Sequence, residues 1–339
     1  MSGETQSFLQ DATSNACLAI QNLHNTDYYD AGTPLTLDLG AARRVTVTVV
    51  QHLSSTTSQV FTVKISTDES QRLHLPPSDI FVMKIFDSRF LKHRLEDDHP
   101  WNLELETKAR EMPAKRSPDG ELIHPHHVGT EDPLEWELFY QNTMLDMFNT
   151  EKRAYSILRS FQGRHIPRCY ASGTLWSPPG ERAVSLPILL FGYLDGEPLA
   201  SFHHDATRIT RKVYSSLHRL LREFKRKGVA HTDIHDHNIH LVSVGRGKYR
   251  PFILDFGCSI IREGMTNEEW EEEYDELGDL DALKYVFRRL GFEYGFQPDR
   301  GIKNLLRSIL YLWKSHILDS VRAMRAKFAT PAFLLSQSP

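Results

Sequence analysis

Hydrophobic positions recur at every second residue through the first part of the chain. Leu35, Leu37 and Leu39 alternate with Thr36, Asp38 and Gly40; Val45, Val47 and Val49 follow, and then Phe61, Val63 and Ile65. Period-two spacing rich in β-branched residues predicts strands with one buried face. Residues 80–86 (IFVMKIF) predict a further strand, apolar on both sides of one lysine. Residues 92–133 are charged, proline-punctuated and aperiodic, which suggests an inserted surface loop. From Trp136 the spacing turns helical, through Tyr155, Ile157, Leu158 and Phe161, with Gly163 where a helix would end. Strands are expected again at 168–171 and 183–194. Val213, Leu217, Leu220, Leu221 and Phe224 then follow i, i+4, i+7, i+8, i+11, and Gly228 supplies a stop. Two short apolar strands, 239–242 and 252–254, precede a stretch from Trp270 to Phe333 that reads mostly as amphipathic helix.

This order gives a leader or accessory segment at 1–34, a β-rich part at 35–194 carrying the insertion at 92–133, and a mainly helical part at 195–339. The 339 residues carry 40 Lys and Arg against 44 Asp and Glu, a formal net charge of −4. That balance argues against a protein built to grip nucleic acid. Cys17, Cys169 and Cys258 form no CxxC pair, which suits a reducing compartment. The first basic residue is Arg43, so no cationic targeting segment precedes an apolar stretch. The most apolar run, 187–194, is far too short to span a bilayer. The expectation is a cytoplasmic protein, with the nucleus as an alternative, and with neither a nucleic-acid nor a membrane partner.

Four features carry candidate chemistry. Lys84 lies among Phe81, Val82, Ile85 and Phe86, where an unpaired charge is costly to bury. Alone it reads as an edge-strand lysine snorkelling to water; the alternative is a cation held for phosphate oxygens. Glu151, on the helix after the insertion, could orient that lysine by an ion pair, or be a solvated helix charge. Asp233 and Asn238 lie five residues apart on a loop after the Gly228 stop, a spacing that lets both face one pocket. An aspartate can accept a hydroxyl proton, and an Asn oxygen is a hard ligand suited to Mg²⁺. Asp255 ends a strand and is followed by Phe256 and Gly257, well placed to hold a metal that bridges phosphates.

In that order, Val82-Met-Lys84, Glu151, His231-Thr-Asp-Ile-His-Asp-His-Asn238 and Asp255-Phe-Gly257 resemble the signature of the protein-kinase-like superfamily, over roughly residues 40–300. The chain is similar to divergent, fungal-type members. The resemblance implies an α+β, two-lobed protein-kinase-like fold, with an antiparallel sheet and one helix in the first lobe and a mainly helical second lobe. It implies ATP and Mg²⁺ as cofactors. Lys84 would contact the α- and β-phosphates, Glu151 would pair with it, Asp233 would be the catalytic base, and Asn238 and Asp255 would hold the metal. Phe191 falls at the gatekeeper position, and Gly192, Tyr193 and Leu194 would offer backbone groups to adenine. Asp279 would buttress the catalytic loop.

The chain departs from the family pattern in three places. No glycine lies in 51–59, where the phosphate loop would be; Thr232 replaces the usual arginine before Asp233; and His235 replaces the usual lysine. Asp-Ile-His is closer to aminoglycoside and choline phosphotransferases. The implied reaction is transfer of the γ-phosphoryl group to a hydroxyl on a protein Ser/Thr or a small molecule. Ten acidic residues and no Lys or Arg in 263–281, apart from Arg262 just before, read as a solvated helix face or as a platform for a cationic acceptor. Two alternatives stay open: a pseudokinase that binds nucleotide as a scaffold, and a zinc enzyme built on His231, His235, His237 and His240. Cys258 is expected to be a buried, inert thiol.

Overall fold

The computed structural model describes residues 29–292, except 41–42, 56, 74, 77–79, 92–93, 95–98, 119 and 179. Most of the expected leader, Cys17 and the helical expectation beyond 292 lie outside the described residues. The chain divides into two compact units, the first drawn from 1–122, 132–152 and 168–193, the second from 123–131, 153–167 and 194–339.

In the first unit the period-two segments become β1 (Pro34–Asp38), β2 (Arg44–Ser55), β3 (Gln59–Ile65) and β4 (Ile80–Ile85). Two later strands, β5 (Cys169–Leu175) and β6 (Leu186–Gly192), join them. All neighbours are antiparallel, in the order β1-β2-β3-β4-β6-β5, and β1 also pairs with β5 through Leu37↔Leu175 and Asp38↔Thr174. The sheet is therefore a closed six-stranded barrel. Every inward residue of the alternation, among them Leu37, Val47, Val63, Met83 and Ile188, is removed from water and fills the interior. Burial of each such side chain contributes roughly 1.5–3 kcal/mol before chain entropy is subtracted.

Closure corrects the sequence expectation of a two-lobed protein-kinase-like fold, whose first lobe would be an antiparallel sheet with free edges. The physical reason lies at Gly173. A Cβ there would stand 2.2 Å from the Asp38 carbonyl oxygen, so only glycine lets β5 approach β1 closely enough to pair. The hydrogen-bond register of β2 against β3 also slips twice, at Val49/Gln51 and His52/Ser54, and such bulges add the curvature that closure needs.

A short helix, α1 (Thr67–Arg72), capped by Ser66, links β3 to β4. The expected surface loop is also corrected. It contains α2 (Leu103–Arg110), capped by Asn102, and two of its charged residues, Arg94 and Glu106, are buried. Arg94 pairs with Glu137 at 2.7 Å, and Glu106 accepts hydrogen bonds from Trp101 Nε1, the Arg182 guanidinium and the Ala183 amide. Arg182 also reaches Asp87, which Arg89 and Tyr29 contact in turn. Buried charges persist where each is paired and hydrogen-bonded. The long helix α3 (Pro133–Ile157) follows.

In the second unit α4 (Arg211–Arg226) buries Val213, Leu217, Leu220, Leu221 and Phe224, the face its spacing predicts. Gly228, with φ +75°, turns the chain into β8 (Val229–Ala230). Three strands, β7 (Gly196–Pro198), β9 (Ile239–Ser243) and β10 (Tyr249–Ile253), form an antiparallel sheet with β9 in the middle. A further strand, β11 (Ile260–Ile261), pairs with β8. The helices α5 (Asn267–Leu277) and α6 (Asp279–Arg289) complete the described part. This unit holds, among the described residues, these five short strands and three longer helices. Among the described residues, no helix is long and apolar enough to cross a membrane.

Candidate functional site

The first cluster belongs to the barrel unit. Alternation along β4 sends Met83 and Ile85 into the barrel, so Lys84 leaves on the other face. Its Nζ donates to Glu151 Oε2 of α3 at 2.7 Å, and the two side chains are 4% and 2% exposed. The lysine does not snorkel; it is buried with its counter-ion and lies 5.3 Å from the Phe86 ring centroid. Burial first, then the Glu151 charge, push the nearby Cys169 thiol up to about 12. Phe191 is buried opposite Val82, Gly192 pairs with Phe81, and a Cβ on Gly192 would press on the Tyr170 ring at 3.2 Å. Tyr193 is exposed, and Leu194, the first residue of the second unit's last segment, accepts from the Gly196 amide.

The second cluster is built on the loop between β8 and β9. Asp279, at the first turn of α6, is fully buried and accepts from the His231 and Thr232 amides at 2.7 and 2.8 Å. Burial raises its pKa, against the pull of His231 and those two amides. His231 is also buried. Its Nε2 meets the Leu254 carbonyl at 2.8 Å, which can only accept, so Nε2 carries the proton and Nδ1 accepts from the Asp233 amide. The loop is thus pinned from α6 on one side and from the end of β10 on the other.

These anchors set the geometry of the candidate chemistry. Asn238 Nδ2 donates to both the backbone oxygen and Oδ2 of Asp233, each at 3.0 Å. The Leu254 amide bonds back to the Asn238 carbonyl, holding the start of β9 against the residue before Asp255. Burial and the Asp255 charge raise the Asp233 pKa, but His235 and His231 overcome them and hold it below the usual carboxylate range. His235 Nε2 lies 3.6 Å from Asp233 Oδ2, and its own pKa is raised by that carboxylate. Asp255 Oδ1 accepts from the Gly257 amide at 3.2 Å.

Asp233, Asn238 and Asp255 therefore lie together in the second unit, and Lys84 and Glu151 together in the first. Comparison with protein-family models and with curated proteins returns no match.

Two features escaped the sequence reading. Thr232 and Asp255 both adopt positive φ, at 61° and 60°. Such backbone costs roughly 1–3 kcal/mol for a non-glycine residue and persists where the surroundings enforce it. For Thr232 the enforcement is visible, in its amide on Asp279 and its hydroxyl donating to the Cys258 carbonyl at 2.6 Å. The second feature is His235 as the partner of Asp233; only its place two residues along a loop hinted at it. Cys258 is exposed, not buried as expected.

The donor set can be tested against the two metals considered. For Mg²⁺ the fit is good. With Nδ2 turned to Asp233, Asn238 leaves Oδ1 without a hydrogen bond from any described residue, and hard oxygen atoms are what this ion takes. Zinc fits poorly, because both nitrogens of His231 are engaged and no group of three or more His, Cys, Asp or Glu suited to a metal occurs among the described residues.

Proposed function

We propose that the chain is an ATP- and Mg²⁺-dependent phosphotransferase acting on a hydroxyl, with Asp233 as the base. The observation that carries this reading is the Asp233–Asn238–Asp255 cluster, anchored by Asp279 and His231. Mg²⁺ is commonly held by one or two carboxylates plus substrate phosphates and keeps several waters, so Asp255 and the Asn238 oxygen suffice as protein ligands. When bound, the ion neutralises charge on the phosphate oxygens.

The remaining work falls to the chain. Asp233 accepts the proton of the acceptor hydroxyl as its oxygen bonds to the γ-phosphorus and the bond to the β-phosphate oxygen breaks, releasing ADP. Phosphoryl transfer proceeds through a loose transition state with little demand for a strong base, so a carboxylate with a lowered pKa is adequate. Asn238 fixes the Asp233 rotamer through Nδ2. The resemblance to kinase-like proteins implies phosphate contact for Lys84, which is paired with Glu151 in the first unit.

A second reading, nucleotide binding without turnover, is favoured by one observation. Between β2 and β3 the sequence runs Thr-Thr-Ser, with no glycine to let backbone amides close over phosphates. Release of ADP from ATP separates the readings. The native chain is expected to release ADP only with Mg²⁺, and Asp255→Ala to release none. A rate indifferent to Mg²⁺ and to Asp255 would refute the phosphotransferase. Stabilisation by ATP without any ADP release would favour the binding module.

A further inference from the structure

A cavity of about 710 Å³ opens in the second unit, beside the start of α4 and the β9–β10 hairpin. Its lining includes Arg211, Lys212 and Arg219 of α4, Lys248 and Arg250 of the hairpin, and His165. No aspartate or glutamate lines it. Lys212, Arg219, Lys248 and Arg250 form no ion pair with a carboxylate among the described residues, and all are exposed. We propose that this cavity binds a small polyanion carrying two or more phosphate groups, at a site separate from the Asp233 cluster and independent of the catalytic reading.

The sequence at the helix start supports the inference. A helix N-terminus carries partial positive charge and is normally complemented by Asp or Glu. The first turn of α4 holds no acidic residue, and instead places Arg211 and Lys212 there, with Thr210 making no side-chain cap. Fixed cations on a positive dipole end repel each other unless an anion lies among them. His165 registers the same field: burial, then Arg164, Arg250 and Arg219, lower its pKa against the opposing hydrogen bond to the Pro251 backbone. Thr210 and Ser216 add hydroxyl donors to the lining, whereas the Ser215 hydroxyl donates to the Arg211 carbonyl. The volume lies in the range of small-molecule sites, roughly 300–1,000 Å³, which favours a compact ligand over a macromolecular surface.

Phosphate is preferred to carboxylate because each phosphate group offers more charge and more acceptor oxygens to the several cations that converge from two elements. The test is calorimetric titration with sodium tripolyphosphate and, in parallel, with benzene-1,3,5-tricarboxylate, both in EDTA. Native protein is expected to bind tripolyphosphate more tightly than the tricarboxylate, and to lose affinity as salt is raised. The Lys212→Gln/Arg219→Gln/Arg250→Gln variant is expected to lose about tenfold or more in affinity, equivalent to about 1.4 kcal/mol, with an unchanged melting temperature and unchanged ADP release. Asp233→Asn is expected to bind tripolyphosphate as native does. Equal binding by native and the triple variant overturns the proposal, as does absence of binding at low ionic strength. Equal affinity for both anions overturns the phosphate preference.

Discussion

Removing one partner of the Lys84–Glu151 pair is a severe perturbation whose size follows from its burial. The charged atoms are 2.7 Å apart, and both side chains are almost wholly withdrawn from water. In Glu151→Leu the ammonium keeps its burial and loses its counter-ion, while the Phe86 ring stays 5.3 Å from it. Stranding a buried charge in this way costs about 3–5 kcal/mol. For a domain of some 150–250 residues, each kcal/mol lowers the melting temperature by about 2–4 °C, so a fall of roughly 6–20 °C is expected. Lys84→Met strands Glu151 and is expected to cost a similar amount. The double variant Lys84→Met/Glu151→Leu removes both charges while conserving volume, and is expected to lie within about 1 kcal/mol of native. Urea midpoints and thermal melts on the four proteins measure this cycle, and ADP release on the same samples measures function. The double variant is expected to be stable and inactive, because stability needs the charges paired whereas phosphate needs the cation. A single variant costing under about 1 kcal/mol would show that the pair is not buried as described. A stable double variant with native ADP release would refute the role of Lys84.

Three further outcomes are expected. Gly173→Ala places a methyl group against the Asp38 carbonyl, so it should cost about 1–3 kcal/mol and speed hydrogen exchange at the Trp176 amide, which donates to the Thr36 carbonyl beside the β1–β5 pairing; unchanged exchange there would contradict barrel closure. Burial alone would raise the Asp87 pKa, but Arg182 and Arg89 lower it to about 2, below its unfolded value near 4, so the pair contributes about 2 kcal/mol above pH 4 that is lost as pH falls through 2. Urea midpoints between those pH values check this, and in Arg182→Met the loss should be smaller and complete at higher pH. Asp279→Ala leaves the buried His231 and Thr232 amides unsatisfied, at a cost of about 2–4 kcal/mol, and should free Thr232 from its positive φ. A fully stable variant with native ADP release would remove Asp279 from its anchoring role.

How much of this was legible depends on the distance over which each feature acts. The strands β1 to β4 and the buried face of α4 follow from the spacing of apolar side chains, a signal confined to each segment. The Asp233 loop was readable because residues five apart on one loop need no distant partner to face the same way. Closure of the barrel was not readable, because it depends on backbone approach between Gly173 and Asp38, from strands distant in sequence and marked by a single glycine. The burial of Glu106 was hidden for a similar reason. Its charge reads as surface until Arg182, 76 residues later, is known to pair with it. His235 looked like a substitution in a motif, and only coordinates place its Nε2 beside Asp233.

The most direct measurement of the central claim is the rate of ADP release from Mg²⁺–ATP by Asp233→Asn against native. Asn keeps the shape of the side chain and removes its ability to take a proton. The expected result is a loss of about 10²–10⁴-fold in rate, with the rise in melting temperature on adding Mg²⁺–ATP unchanged. Equal rates in the two proteins would contradict the assignment of Asp233 as the base.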